Sequence, residues 1–287
     1  MYPILSAQFI APDVKLFRIE ASHIARKHQA GQFVILRVSE DGERIPITIA
    51  DSDPERGIIS VIVQGIGLTT KQLNLLDKGD AIPDLVGPLG RPSIIENWGR
   101  VVIVCGGVGT AEALPSVKSL KIAGNEVIGI IGARTKELII AEKLMEELCD
   151  EVIITTNDGS YGTKGLVTNA LEPLLSGLNP PQMVMAIGPL PMMSAVAELT
   201  RPPGIKTIVS LNTIMVDGTG MCGSCRATIG GKTVFVCVDG PEFDAHEVDF
   251  DELIKRSSMY RDQEKRSLEK FLESHLTNSD KEAGQSR

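Results

Sequence analysis

Val101-Val-Ile-Val-Cys-Gly-Gly-Val-Gly-Thr-Ala-Glu112 decides the fold of this chain. Its first five residues are continuously apolar, the pattern of a strand buried on both faces of a sheet. Gly106-Gly107-Val108-Gly109-Thr110 then turns the chain straight into a helical segment, 111–123. Backbone N–H groups at such a helix start, with the helix dipole behind them, make a phosphate site. Glycine lets the backbone come close to a ligand and take positive φ. Counted against G-x-G-x-x-G from Gly107, the third glycine is replaced by Glu112, and Arg134 rather than an acidic residue closes the second strand. The ordinary dinucleotide fingerprint therefore fails. A tight turn with no ligand stays open as the alternative.

Downstream, 126–132, Glu151–Thr156 and Met183–Ile187 read as strands, and 137–148, 164–174 and 190–199 as helices. Strands alternating with helices predict a doubly wound parallel sheet. Asn157-Asp158-Gly-Ser160 and Gly188-Pro189 end two of those strands, on the side where open α/β sheets bind ligands. Upstream the texture differs. Val14–Glu20, 32–38, 45–50 and Ile58–Gln64 are short, rich in Val and Ile, and bounded by Gly, Pro or Asp. With one helix expected at 69–76, they predict a small antiparallel β-barrel.

The full chain of 287 residues suits about two domains at roughly 150 residues each. Its net charge is −8 with no basic run, which argues against nucleic acid as a partner. The longest apolar stretches, 101–105 and 127–133, fall far short of the ~20 residues a membrane span needs. The N-terminus lacks a basic and then apolar leader, so the expected location is cytoplasmic. The histidines, His23, His28, His246 and His275, are scattered and read as surface residues; no side-chain general base is expected.

Three of the five cysteines fall within sixteen positions. Cys222-Gly-Ser-Cys225 is followed by Cys237, and counting back five from Cys222 gives Asp217. The pattern D-x4-C-x2-C-x11-C parallels the plant-type [2Fe-2S] spacing with a carboxylate in the first position. Carboxylate is a harder ligand than thiolate and should alter the potential. A four-ligand zinc knot and unligated thiols are the alternatives. Cys105 and Cys149 read as core residues. Beyond the cysteines, 249–276 carries an apolar residue every three to four positions, a helix signal, either docking a partner or packing back on its own domain. The polar end, 277–287, is expected to lack order.

Arg44-Ile-Pro46-Ile-Thr48-Ile-Ala-Asp51, Gly87-Pro-Leu-Gly90, Gly106-Gly-Val-Gly109, Thr156-Asn-Asp-Gly-Ser-Tyr-Gly162 and Met215-Val-Asp-Gly-Thr-Gly-Met-Cys-Gly-Ser-Cys225 together resemble one group of ferredoxin-reductase-like flavoproteins. That group is the small iron–sulfur subunit of NADH-dependent reduced ferredoxin:NADP oxidoreductase, an electron-bifurcating transhydrogenase also called sulfide dehydrogenase β-subunit. The electron-transfer subunit of dihydroorotate dehydrogenase is a near relative, with Cys where this chain has Asp217. The resemblance spans roughly residues 1–260 and implies a barrel FAD domain (1–98), an α/β NAD domain (99–211), a [2Fe-2S] loop (212–248) and a C-terminal helix with a polar tail (249–287).

The same resemblance implies site residues. FAD would lie on Arg44 (pyrophosphate), Pro46, Ile47, Thr48 (hydroxyl near the flavin N5), Gln64, Gly67, Thr69 and Thr70; the wider family often carries an aromatic where Ile47 stands. NAD(H) would use Gly106, Gly107, Val108, Gly109, Thr110, Arg134, Asn157, Asp158, Gly188 and Pro189, with Arg134 equally suited to an NADP 2′-phosphate. Asp217, Cys222, Cys225 and Cys237 would hold the cluster. The implied partner is a larger FAD/[4Fe-4S] subunit that handles NADP(H) and, through the complex, ferredoxin. Two alternatives stand beside this reading: the dihydroorotate dehydrogenase subunit, and a zinc-stabilised nucleotide-binding module.

Overall fold

The computed structural model describes residues 1–285. Seven antiparallel strands form the N-terminal sheet: β1 (Tyr2–Ala11), β2 (Val14–Glu20), β3 (Phe33–Arg37), β4 (Arg44–Asp53), β5 (Ile58–Gln64), β6 (Ala81–Ile82) and β7 (Asp84–Leu89). Their order is β6-β1-β2-β5-β4-β3-β7, a curled sheet that makes the expected barrel. Alternation explains it: Phe17, Ile19, Val34, Leu36, Ile59, Val61 and Val63 point inward and form one core with Ile4, Ile49 and Leu73. Each such fully buried side chain contributes about 1.5–3 kcal/mol. A four-residue helix, α1 (Ser22–Ala25), plugs one end, and α2 (Leu68–Leu75) follows β5. The buried Lys15 ammonium donates to the carbonyls of Asn74 at 3.1 Å and Leu76 at 2.7 Å and pairs with Asp77 at 2.8 Å. A cation is thereby set against the carbonyl end of α2, where the helix dipole favours it, and α2 is pinned to the barrel.

The second sheet is built from β8 (Arg100–Gly106), α3 (Gly109–Ile122), β9 (Glu126–Ala133), α4 (Glu142–Leu148), β10 (Glu151–Thr156), β11 (Thr163–Lys164), α5 (Val167–Ser176), β12 (Met183–Ile187), α6 (Leu190–Thr200) and β13 (Lys206–Ser210). With β16 (Glu242–Asp244) from the C-terminal segment, its order is β11-β10-β9-β8-β12-β13-β16, parallel except for that last strand. From β8 the chain steps outward to β9 and β10, then crosses back to lay β12 on the other side of β8. The order therefore reverses between β8 and β12, and ligand crevices form at such a reversal, beyond the carboxyl ends of the strands. Gly106 and Gly188 stand at those two ends.

The remaining chain is β14 (Arg226–Ile229), β15 (Lys232–Phe235), α7 (Val236–Asp239), β16 (Glu242–Asp244), α8 (Phe250–Ser257) and α9 (Arg261–Gln285). The segment expected as a [2Fe-2S] loop, 212–248, thus holds a hairpin, one helical turn and the strand Glu242–Asp244, which returns to pair with β13. The single helix expected over 249–276 is two, broken around Ser258–Tyr260. Helix α9 continues to Gln285 through much of the segment expected to lack order; 286–287 lie outside the described residues. No helix among the described residues is long and apolar enough to cross a membrane.

Candidate functional site

Where the β8 and β12 ends meet the barrel there is a cleft of about 690 Å³. Val14, Gln64 and Ile66 form its barrel wall. The opposite wall is made of strand-end turns, and it brings together Gly106, Gly107, Val108, Gly109, Arg134, Asn157, Gly188 and Pro189. Two glycines show why the turn reads as it does. Gly107 has φ +56° with open space beyond it, so a ligand can come to its backbone. A Cβ on Gly109 would fall against the Ile187 carbonyl and stand 3.1 Å from the Gly188 nitrogen, so the two turns interlock only without a side chain there.

Thr110 and Asp158 are not brought to the cleft wall. The Thr110 side chain is buried and its hydroxyl donates to the Gly107 carbonyl at 3.0 Å, bracing the turn from within. Asp158 accepts from the Ser160 N–H at 3.0 Å and hydroxyl at 2.7 Å, and those bonds hold its carboxyl below the usual range. Glu112 lines the cleft, a residue noticed in the sequence only as a missing glycine. Burial pushes its carboxyl up to about 7.

Arg44, Pro46, Ile47 and Thr48 lie along β4, paired with β3 in the register Phe33↔Thr48, Val34↔Ile47, Ile35↔Pro46 and Arg37↔Arg44. Paired residues share a face. Val34 is in the barrel core and Ile47 packs with it, whereas Phe33 and Ile35 belong to the core on the other side of the strand. Arg44, Pro46 and Thr48 therefore share the outer face, and the Ile47 side chain is turned away from it. At the start of α2 the Thr69 hydroxyl donates to Glu43 at 2.9 Å, and Thr70 Oγ1 accepts from the Gly67 N–H at 2.9 Å. Both hydroxyls are engaged within the chain.

The cysteine loop stands against the outer edge of the same barrel: a Cβ on Gly218 would meet Leu89 at 2.6 Å and Ile35 at 2.9 Å. Gly218, Gly220 and Gly223 have φ of +72°, +83° and +66°, so the loop winds tightly through left-handed turns. Cys225 and Cys237 are buried with their sulfurs 3.2 Å apart. Asp217 accepts from the backbone N–H groups of Thr219 at 2.8 Å and Cys222 at 2.7 Å, which hold its carboxyl down, and the Cys222 thiol adds a further bond. Ser224, through hydroxyl and backbone N–H, holds the exposed Cys222 thiol below its ordinary range. Burial and the neighbouring Cys225 push the Cys237 thiol up. The donors therefore stand as two pairs, Asp217 with Cys222 and Cys225 with Cys237. Among the described residues no three Cys, His, Asp or Glu side chains gather around one point as for a single ion. Three thiols and a carboxyl on a glycine loop, in pairs, fit a two-iron centre. The three thiols were legible from their spacing, and Asp217 from the count.

Two of the histidines depart from the surface positions expected of them. His28 is half-buried, with Nδ1 2.9 Å from the Ser52 hydroxyl, and burial lowers its pKa to about 4. His246 has Nε2 3.0 Å from the Thr200 hydroxyl and so packs back on α6. The His275 side chain lies outside the described residues.

Comparison with known proteins agrees with this architecture. Residues 212–249 match the family described as the iron-sulfur cluster binding domain of dihydroorotate dehydrogenase B. A dihydroorotate dehydrogenase B (NAD(+)) electron transfer subunit homolog of Thermotoga maritima is 49% identical over 263 residues, 92% of this chain and 93% of that protein. The corresponding subunit of Geobacillus thermodenitrificans is 32% identical, covering 85% of this chain and 96% of its own. A solved chain of the NADH-dependent reduced ferredoxin-NADP oxidoreductase, studied for flavin-based electron bifurcation, superposes with a TM-score of 0.90 at 46% identity over 95% of this chain and 98% of that one. Phthalate dioxygenase reductase shares the fold at 18% identity, with a TM-score of 0.58 over 85% of this chain and 94% of its own.

Proposed function

We propose a function that proceeds from one premise: the chain belongs to the family of dihydroorotate dehydrogenase B electron-transfer subunits and their homologs. Within it, this chain is a redox subunit that links NAD(H), through FAD, to a [2Fe-2S] centre. One observation carries the reading. In the barrel sheet, β4 lies between β5, which reaches the cleft through Gln64, and the β3–β7 pair, against which the Gly218 loop packs. A flavin on the outer face of β4 would lie between the nucleotide cleft and the cysteine loop.

When bound, the flavin exchanges hydride with nicotinamide and single electrons with the cluster, chemistry that belongs to the cofactors. The chain positions them. Arg44 offers a guanidinium suited to a pyrophosphate, Thr48 a hydroxyl, Pro46 an apolar contact, and Gly67 opens α2 for a second phosphate. Thr69 and Thr70 contribute by fixing that turn, and Ile47 by filling the barrel beneath. The turns at Gly107 and Gly188 present backbone to the dinucleotide, with Arg134 and Asn157 toward its adenosine end. Asp217, Cys222, Cys225 and Cys237 hold the cluster.

A subunit of this kind works beside a larger partner. We read that partner as an FAD/[4Fe-4S] subunit handling NADP(H) and ferredoxin, supported by the 46% identical bifurcating relative. The 49% identical homolog keeps a second reading in play, delivery of electrons to or from a dihydroorotate-oxidising partner. Asp217, in place of a fourth cysteine, favours the first.

The test is the visible spectrum of anaerobically purified protein with NADH, NADPH as control. The reading expects flavin bands over a [2Fe-2S] envelope, bleached much faster by NADH. Reconstituted protein that shows neither chromophore, and holds zinc, would contradict it.

A further inference from the structure

The Cys222-Gly223-Ser224-Cys225 segment is gripped from behind by two guanidinium groups. Arg226 Nη1 donates to the Gly223 carbonyl at 3.2 Å, and Arg256 Nη2 donates to the Ser224 carbonyl at 3.0 Å. Each carbonyl belongs to a planar trans peptide whose N–H points the opposite way. For Gly223 that N–H is on Ser224; for Ser224 it is on Cys225. The Ser224 N–H indeed faces the Cys222 sulfur, and the Ser224 hydroxyl stands 3.0 Å from the same atom. Arg226 thus holds the carbonyl side of the peptide whose amide faces the Cys222 thiol, and Arg256 holds the carbonyl side of the next peptide, which leads into Cys225.

The fold fixes this arrangement most firmly at Arg256. Helix α8 starts on Asp249, whose carboxylate accepts from the Glu252 N–H at 2.9 Å. It is seated by Phe250 and Leu253, both buried in the core that contains Cys225 and Cys237. Arg256 lies in its last turn, and its bond to Ser224 is half-buried, where solvent screens a charge less. Arg226 is exposed, so its charge is worth less. Guanidinium stays protonated at all working pH values.

We propose that Arg256, with Arg226 in support, is a positioning residue of the redox site: it turns the Cys222–Cys225 peptide dipoles toward the cluster sulfurs, sets a fixed positive charge behind them, and so raises the reduction potential. Reduction adds negative charge to the cluster, and N–H groups and cations close to its sulfurs favour that state. This rests on the reading that Asp217 and the three cysteines hold a [2Fe-2S] centre.

The experiment is an anaerobic redox titration of the full-length, cofactor-loaded protein, followed by low-temperature EPR. Wild type is compared with Arg256→Gln, Arg256→Lys and Arg226→Gln, and thermal midpoints are recorded alongside. R256Q is expected to move the reduction equilibrium tenfold toward the oxidised cluster, a downward shift of about 59 mV for one electron. R226Q shifts it the same way by less, and R256K retains most of the wild-type potential. An intact cluster with unchanged or raised potential in R256Q overturns the proposal. If R256Q loads no cluster, R226Q decides, and wild-type potential there overturns it. Wild type that shows no [2Fe-2S] signal after reconstitution overturns the cluster reading itself, and the proposal with it.

Discussion

Gly107 and Gly109 are two residues apart and do opposite work. Gly107 faces open cleft at φ +56°, so Gly107→Ala has room but pays the left-handed penalty, about 1–2 kcal/mol. Gly109→Ala drives a methyl into the Ile187–Gly188 backbone, which cannot move without shifting β12. We expect G107A to fold and bind NADH weakly, and G109A to lose several times more stability on denaturant titration. Equal losses in the two would contradict the interlocked turns. Glu112 gives a second prediction. Burial raises its carboxyl pKa in the folded chain from an ordinary 4.5 to about 7, so its protonated form stabilises the fold below about pH 4.5. That contribution fades as the pH rises through about 7. Each tenfold change in proton affinity corresponds to about 1.4 kcal/mol. With a discount for the partial exposure of the side chain, Glu112→Gln should gain roughly 1–3 kcal/mol on wild type as the pH rises from about 4.5 to about 8. A thermal-midpoint difference that does not change with pH would contradict it.

Among the elements, α8 joins the C-terminal segment to the redox loop. Leu253, 2% exposed, packs in the core shared with Cys225 and Cys237, so Leu253→Ala should cost about 2–5 kcal/mol in chemical denaturation and release iron sooner than wild type. Loss of stability with unchanged iron retention would detach α8 from the loop. Elements made of uninterrupted buried runs could be read directly from the sequence, as at β8 and β12, because apolar runs that end on a glycine have few other uses. β1 could not: Phe9 and Ile10 on this strand near the sheet edge are exposed, which blurs its alternation. β6 and β7 are short and interrupted by Pro83 and Gly87-Pro88. Helix α4 begins at Glu142 rather than near Glu137 because Ile140 is buried in the cluster that joins barrel to sheet and Ala141 takes a left-handed φ of +54°. Tertiary packing there overrides a plausible helical period. Glycine turns and cysteine spacing are local signals that stand plainly in the sequence. The outer face of β4 was legible only by resemblance, and the Arg256–Ser224 bond, 32 residues apart, left no trace in the sequence.

At the scale of the whole molecule, the cleft, the proposed flavin face of β4 and the cysteine loop, made by different parts of the chain, lie side by side on two sheets. The cleft draws on barrel and parallel sheet together, and the cysteine loop rests on β3 and β7 while α8 holds it from the far side. The central claim is that electrons from NADH reach the iron–sulfur centre within this one chain, before any partner is met. The direct measurement is low-temperature EPR of the isolated, cofactor-loaded chain frozen anaerobically after stoichiometric NADH, with Cys225→Ser as control. The account predicts a reduced [2Fe-2S] signal in wild type and none in C225S. Flavin bleached by NADH while the cluster of wild type stays oxidised, though dithionite can reduce it, would contradict the claim.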